Sequence, residues 1–286
     1  ELNWFTFEDY KAPTTPGYES GYLQNNNFRN RMYNFELLAL YNNSWGNFDF
    51  NATLGGNLYK VNNQTIVTTA KDMKIRDVVA LMSFNEVSVE PYSYRKQINS
   101  IYGAVNLGWK HMLYFDATLR GDQSSTLPIS NNMYIYPSFS GSFVFSELLK
   151  LGDKLPYGKV RMSWAQVGSD TDPYQLGLVY TKSKFAYPGY TIGYISNGTI
   201  PNKDLKPTKT NSFEMGLELK FLKNRIGLDF TYYSQLSKNQ IMGMASSSTS
   251  GYGYRLINAG EIENKGVEIA LNTRPIQTKD FSWDLN

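Results

Sequence analysis

The sequence contains no cysteine and a single histidine, His111. The first absence excludes a disulfide framework, thiol catalysis and Cys-ligated zinc, and the second excludes any site that needs two imidazoles. Charge is sparse at 19% of residues and nearly balanced, with 28 Lys and Arg against 25 Asp and Glu for a net +3. The basic residues are scattered rather than run together, so nothing tracks a phosphate backbone, and nucleic acid is excluded as a partner. No apolar run is longer than Val78-Val79-Ala80-Leu81-Met82, far below the ~20 residues of a membrane-spanning helix. A secretory leader is not visible either, and the chain closes on the unfinished alternation Phe281-Ser282-Trp283-Asp284-Leu285-Asn286. The expectation is therefore a segment of a longer protein.

Aromatic residues are plentiful, 15% of the chain with 22 tyrosines, and they fall into a period-two alternation that places successive side chains on opposite faces of a strand. Phe48, Phe50, Ala52, Leu54, Gly56 and Leu58 share one face against Asn47, Asp49, Asn51, Thr53, Gly55 and Asn57. Phe213, Met215, Leu217, Leu219 and Phe221 alternate with Ser212, Glu214, Gly216, Glu218 and Lys220. Ile226, Leu228, Phe230 and Tyr232 oppose Arg225, Asp229, Thr231 and Tyr233, and Leu113, Phe115, Ala117 and Leu119 oppose Tyr114, Asp116, Thr118 and Arg120. Weaker segments at 2–7, 33–41, 98–109, 134–145, 159–167, 266–273 and from Phe281 bring the total to about eleven strands. Several reach the ~9–11 residues that cross a bilayer when tilted.

Shorter and longer connections alternate. The short ones are 42–46, Lys110-His111, Leu222-Lys223-Asn224 and 274–280; the long ones follow Leu58, Gly121, Gly168 and Ser237, and 146–157 is intermediate. An antiparallel meander with tight turns at one end and long loops at the other has this rhythm. Most prolines, Pro91 among them, are assigned to loops; Pro137 sits inside a strand and needs a bulge or a missing bond there. Ile75, Val78, Val79 and Met82 carry helix-like spacing within the long connection after Leu58, which allows a short helix there.

Alternation alone fits a β-sandwich as well as a barrel. Strand length, loop rhythm and aromatics near strand ends (Tyr33, Tyr41, Trp109, Phe143, Phe145, Phe213 and Phe221) favour an all-β antiparallel transmembrane barrel. An odd strand number argues for part of a larger barrel, since an isolated piece would leave two unpaired edges in lipid. On that reading Arg120, Glu214, Glu218, Arg225, Asp229 and Glu268 face the lumen.

Three blocks carry a family resemblance. Tyr114-Phe115-Asp116-Ala117-Thr118-Leu119-Arg120-Gly121-Asp122 with Tyr136-Pro137-Ser138 and Ser140-Gly141-Ser142 is the first, and Lys159-Val160-Arg161-Met162-Ser163-Trp164-Ala165-Gln166-Val167-Gly168-Ser169-Asp170 the second. Glu263-Asn264-Lys265-Gly266-Val267-Glu268-Ile269 followed by Phe281-Ser282-Trp283-Asp284 is the third. From about Ile98 onward the chain resembles the C-terminal half of the barrel in SusC/RagA-type TonB-dependent outer-membrane transporters. The resemblance implies a barrel of about 22 strands, with residues 1–286 a partial barrel domain and the plug and remaining strands outside it. It also implies an outer-membrane lipid environment, a SusD-like surface lipoprotein as lid, import of an oligosaccharide or peptide ligand, and energy from the TonB complex acting through the plug.

Other candidates are weighed against plainer roles. Asp170 and Asp172 offer too few oxygens for calcium and suit an Asx-turn before Pro173. Glu261, Glu263 and Glu268 lack an evident acid/base partner for glycoside hydrolysis, and His111 reads as a solvated turn residue. The Ser246–Ser250 hydroxyls have no activating base. No enzyme, metal site or cofactor is expected. The loop tyrosines Tyr187, Tyr190, Tyr194, Tyr252 and Tyr254 suit contact with sugar rings or peptide backbones, and packing against neighbouring loops or a lid suits them equally. The alternatives to a transporter are a soluble or surface-exposed all-β glycan-binding module and a passive porin.

Overall fold

The computed structural model describes residues 2–76, 78–150, 152–182, 190, 192–195 and 198–285. In chain order the strands are β1 (Leu2–Lys11), β2 (Tyr22–Trp45), β3 (Phe48–Met73), β4 (Phe84–Trp109), β5 (Leu113–Ser124), β6 (Met133–Val144), β7 (Tyr157–Ser169), β8 (Tyr180–Lys182), β9 (Gly193–Ile195), β10 (Thr199–Ile200), β11 (Thr208–Phe221), β12 (Ile226–Lys238), β13 (Ile241–Ala245), β14 (Tyr254–Asn258), β15 (Glu261–Gln277) and β16 (Ser282–Leu285), with one helix, α1 (Phe145–Leu149). Eleven of them form one sheet in the order β1-β2-β3-β4-β5-β6-β7-β11-β12-β15-β16. Each contains one of the segments marked by alternation. This is the expected antiparallel meander, and among the described residues its order does not return on itself to close a barrel.

The chain divides into two compact units, 1–35 with 58–98 and 36–57 with 99–286. In the first, the connection read as a long loop after Leu58 is largely strand: β3 and β4 each run for 26 residues. Thr65, Ile66, Val67, Thr68 and Thr69 supply strand propensity there without alternation, because polar residues occupy both faces. The helix-like spacing yields only a 3-10 turn at Leu81–Ser83. Pro91 lies within β4 rather than in a loop. It is tolerated because β5, counted from the tight turn at 110–112, is too short at 12 residues to pair with β4 that far up. Leu23, Ala70 and Phe84 form this unit's small core with Tyr10 and Met73 against it, and Phe5 stacks on Phe28 at 4.6 Å.

In the second unit the ladders are regular. Phe139 stands opposite both Ala117 and Trp164, Trp164 opposite Phe213, Met215 opposite Tyr232, and Phe230 opposite Ile269. Pro137 faces Leu119 of β5, but pairing with β7 stops at Ser138; the strand keeps the proline by giving up one ladder at that point. Tight turns use left-handed residues at Lys110 and His111 and again at Leu222, Lys223 and Asn224. Phe145 opens α1 rather than ending a strand, and its ring lies over Gly158, where a Cβ would meet it at 2.4 Å.

Beyond the long-loop ends the described residues form further strands. β10, β14 and β13 make a three-stranded sheet and β8 pairs with β9. Leu127, Tyr134, Leu205 and Leu256 form a buried cluster, with Tyr136, Leu176 and Ile241 against it. The Ser-rich tip therefore hangs between two strands of a packed substructure.

Candidate functional site

The registers sort the second unit's side chains into two faces. One carries Leu113, Phe115, Ala117, Leu119, Phe139, Met162, Trp164, Met215, Leu217, Phe230, Tyr232, Val267, Ile269 and Leu271. Many of these are exposed despite being apolar: Ile269 is 67% accessible and Leu119 55%. Aromatics gather toward its short-turn end, with Phe48 and Trp109 centroids 6.4 Å apart and Trp45 and Phe50 5.9 Å apart. A hollow of about 580 Å³ whose lining includes Ala39, Ala52, Leu54, Val105, Leu119 and Phe139 lies on this face, and its surface is mostly apolar.

The opposite face is polar and tied together. Arg161 of β7 reaches across β11 to β12, donating from Nη1 to Asp229 Oδ2 at 2.9 Å and from Nη2 to Asp229 Oδ1 at 2.8 Å and Thr231 Oγ1 at 2.7 Å. Planar guanidinium meeting carboxylate through two parallel bonds is the strongest geometry available to such a pair. The residue between them is Gly216, opposite Arg161 on one side and Thr231 on the other; a Cβ there would stand 2.5 Å from Arg161 Nε. Tyr102 uses the same device, its ring over Gly55 and its hydroxyl donating to Glu36 Oε1. Tyr134 lies over Gly168 and Tyr233 over Gly266. Glycine within a strand, normally a weakness, here gives a long side chain room to cross.

A second network joins β4, β5 and β6. Arg120 donates from Nε to Asp122 Oδ1 and from Nη2 to Ser100 Oγ, both at 2.9 Å, and its guanidinium sits 5.3 Å from the Tyr102 ring centroid. The Tyr136 hydroxyl donates to Asp122 Oδ2, and Tyr134 stacks on Tyr136 at 5.8 Å. Toward the loops, Asp170 accepts from Ser124 Oγ at 2.5 Å and Thr126 Oγ1 at 3.1 Å, so its carboxylate ties two connections together. Among the described residues there is no cluster of three or more potential metal ligands. Lys238 pairs with Glu261 and Lys265 with Glu263, and the His111 ring lies 3.8 Å from Asp49.

Of the residues singled out in the sequence, Arg120, Glu214, Glu218, Asp229 and Glu268 share this polar face by register, whereas Arg225 lies in the turn before β12. Tyr254 opens β14 opposite Ala245 and Thr199, with Tyr252 two residues before it. Tyr194 belongs to β9, and Tyr190 is 74% exposed; Tyr187 lies outside the described residues. The bridging side chains Glu36, Tyr102, Asp122, Tyr136 and Arg161 are not among the lumen-facing residues expected from the sequence, although Asp122, Tyr136 and Arg161 lie in the blocks that carry the family resemblance. Their common parity on the strands was the available signal, but partner strands are needed to join them.

A family model described as TonB dependent receptor-like, beta-barrel matches residues 2–286. The chain belongs to this family. As a TonB-dependent receptor barrel it is similar to TonB-dependent receptor P3 of Formosa agariphila, 27% identical over 259 residues that cover 87% of this chain and 25% of that protein. Similarity to TonB-dependent receptor SusC of Bacteroides thetaiotaomicron is 29% over 203 residues, covering 68% of this chain and 20% of that one. The TonB-dependent receptor barrel thus spans about a quarter or less of the length of these curated relatives. A structure of the RagAB peptide transporter superimposes over 98% of the chain and 32% of its own with a TM-score of 0.88 at 21% identity, which speaks to the fold. The TonB-dependent receptor family is one of outer-membrane transporters rather than enzymes.

The clamp across Gly216 gives a test. Gly216→Val should cost the full-length receptor about 1–3 kcal/mol by overpacking and by displacing Arg161, measured by urea-dependent folding into lipid vesicles. In an Asp229→Ala background the same substitution should cost less, because the bonds it disrupts are already gone. Equal costs in both backgrounds would show that Gly216 serves something other than the clamp.

Proposed function

We propose that residues 1–286 are part of an outer-membrane barrel that imports oligosaccharides or peptides, energised through TonB and working with a SusD-like lipoprotein lid. The plug and the remaining strands then belong to other parts of the same protein. The observation that carries the reading is one sheet with two unlike faces. Its exposed apolar face suits lipid, while its charged, cross-strand-bonded face suits a solvated lumen. A lumen lined by Arg161, Asp229, Glu214, Glu218 and Arg120 offers fixed donors and acceptors to a hydroxyl- or amide-rich solute. The structured long-loop end, with Tyr190, Tyr194, Tyr252 and Tyr254 among its residues, is where such a solute would first be met.

The test begins with an antibody to this segment, used to isolate the full-length protein from the outer membrane. The expected result is a chain several times longer that co-purifies with a surface lipoprotein and whose ligand uptake stops when TonB is depleted. Uptake that continues without TonB would reduce the protein to a passive pore, and recovery of a free 32.6 kDa chain from the soluble fraction would overturn the barrel reading.

A further inference from the structure

The small sheet at the long-loop end has one edge that is neither short nor blunted. β14 is its central strand, paired in parallel with the two-residue β10 and antiparallel with the five-residue β13. The direction of the β13 backbone follows from two bonds that bracket it. Ala259 N–H donates to Gln240 O and Ser246 N–H to Gly253 O, both at 2.9 Å and both in the β13–β14 register. Even-numbered residues between them, Met242 and Met244, therefore turn their N–H and C=O inward to β14. Ile241, Gly243 and Ala245 turn theirs outward, and among the described residues no strand lies beyond them.

Natural sheet edges are usually protected by charge, proline, a bulge or extreme shortness. The sequence Ile241-Met242-Gly243-Met244-Ala245 has neither charge nor proline, and its pairing with β14 carries no bulge. One face of the strand packs downward, since Leu256, opposite Gly243, belongs to the buried cluster. The other presents Met242 at 41% and Met244 at 50% exposure, beside Ile257 and Arg255. Methionine side chains are flexible and polarizable, and they recur on surfaces that accept varied apolar partners.

We infer that the free edge of β13 binds an extended peptide, which adds as a further strand and rests its alternate side chains on Met242 and Met244. A row of outward N–H and C=O groups recurring every second residue matches the edge of another polypeptide, and main-chain pairing of this kind gives affinity without demanding a sequence. Sugar hydroxyls have no such repeat. The inference rests on the import reading above and narrows its solute to peptides.

The test uses the full-length receptor in its native outer membrane and a fluorescein-labelled Lys-Thr-Val-Thr-Val-Lys peptide amide. A second copy, N-methylated at every inner residue, keeps all side chains but loses the donors of both its edges. Binding of the methylated copy should be weaker by about tenfold or more, the equivalent of one or two lost hydrogen bonds. Gly243→Pro, which replaces an outward N–H by a ring and removes no inward-facing donor, should weaken the plain peptide to a similar extent or more. Gly243→Ala should leave it unchanged, because the added Cβ meets nothing closer than 3.7 Å. Hydrogen-exchange protection of the inward Met242 and Met244 amides reports that the sheet survives in each variant. Equal binding of the two peptides, no binding of either, or wild-type binding by Gly243→Pro would each overturn the inference. So would loss of a co-purifying lipoprotein in Gly243→Pro, which would assign the edge to the lid. TonB-dependent uptake of an oligosaccharide alongside failed peptide binding would leave the import reading standing and remove only the strand addition.

Discussion

Replacing Phe230 or Leu217 by arginine should cost the full-length barrel about 2–4 kcal/mol, the penalty for a cation on the lipid face near mid-bilayer. The two residues stand directly opposite each other on β12 and β11. Leu217 is four residues from Phe221 at the tight-turn end. At about 3.3 Å per residue and with the usual strand tilt, that is about 10 Å of height within an apolar band about 25 Å tall. Urea-dependent folding into vesicles measures the cost. Gln235→Arg is the control, since Gln235 lies on the polar face opposite Ser212 and Asn264 and its replacement should cost little. A penalty near zero at both apolar positions, or one as large at Gln235, would mean that the two faces have been assigned the wrong way round.

The second large effect is expected away from the membrane band. Leu205 is fully buried against Leu127, Tyr134 and Leu256, and Leu205→Ala should remove about 2–5 kcal/mol of packing. The loss should be local, because this cluster holds the loops together while the long ladders of β11, β12 and β15 rest on their own pairing. Hydrogen exchange on the full-length receptor should show protection in β13 and β14 falling by about a hundredfold or more, with the β11–β12 amides unchanged. Uniform loss along the barrel would show that the loop cluster and the sheet unfold as one unit.

The same contrast explains which features could be read in advance. Every strand of the large sheet was visible because one of its faces is apolar and the other polar over at least part of its length, as in Phe213 to Phe221. That signal fades in the upper part of β3, where both faces carry polar residues; in β4 the alternation Glu86-Val87-Ser88-Val89-Glu90 is short and runs into Pro91, a residue that reads as a loop signal until the strand is seen. Short strands such as β13 and β14 carry too few residues for a period to register, so a packed sheet passed for a flexible Ser-rich tip. Arg120 and Asp229 were marked as polar-face residues from parity alone, but the glycine crossings were not, since Gly216 is only a weak strand residue until Arg161 and Asp229 are placed on either side of it.

The sequence by itself determined the class of fold, the division of its strands into an apolar and a polar face, and the family, because all three depend on residue order along single strands or on short motifs. Tertiary structure decided which side chains meet across strands, where the loops acquire a core of their own, and which edge of that core stays open. Those outcomes depend on register between segments far apart in the chain, and register becomes fixed only when neighbouring strands pair.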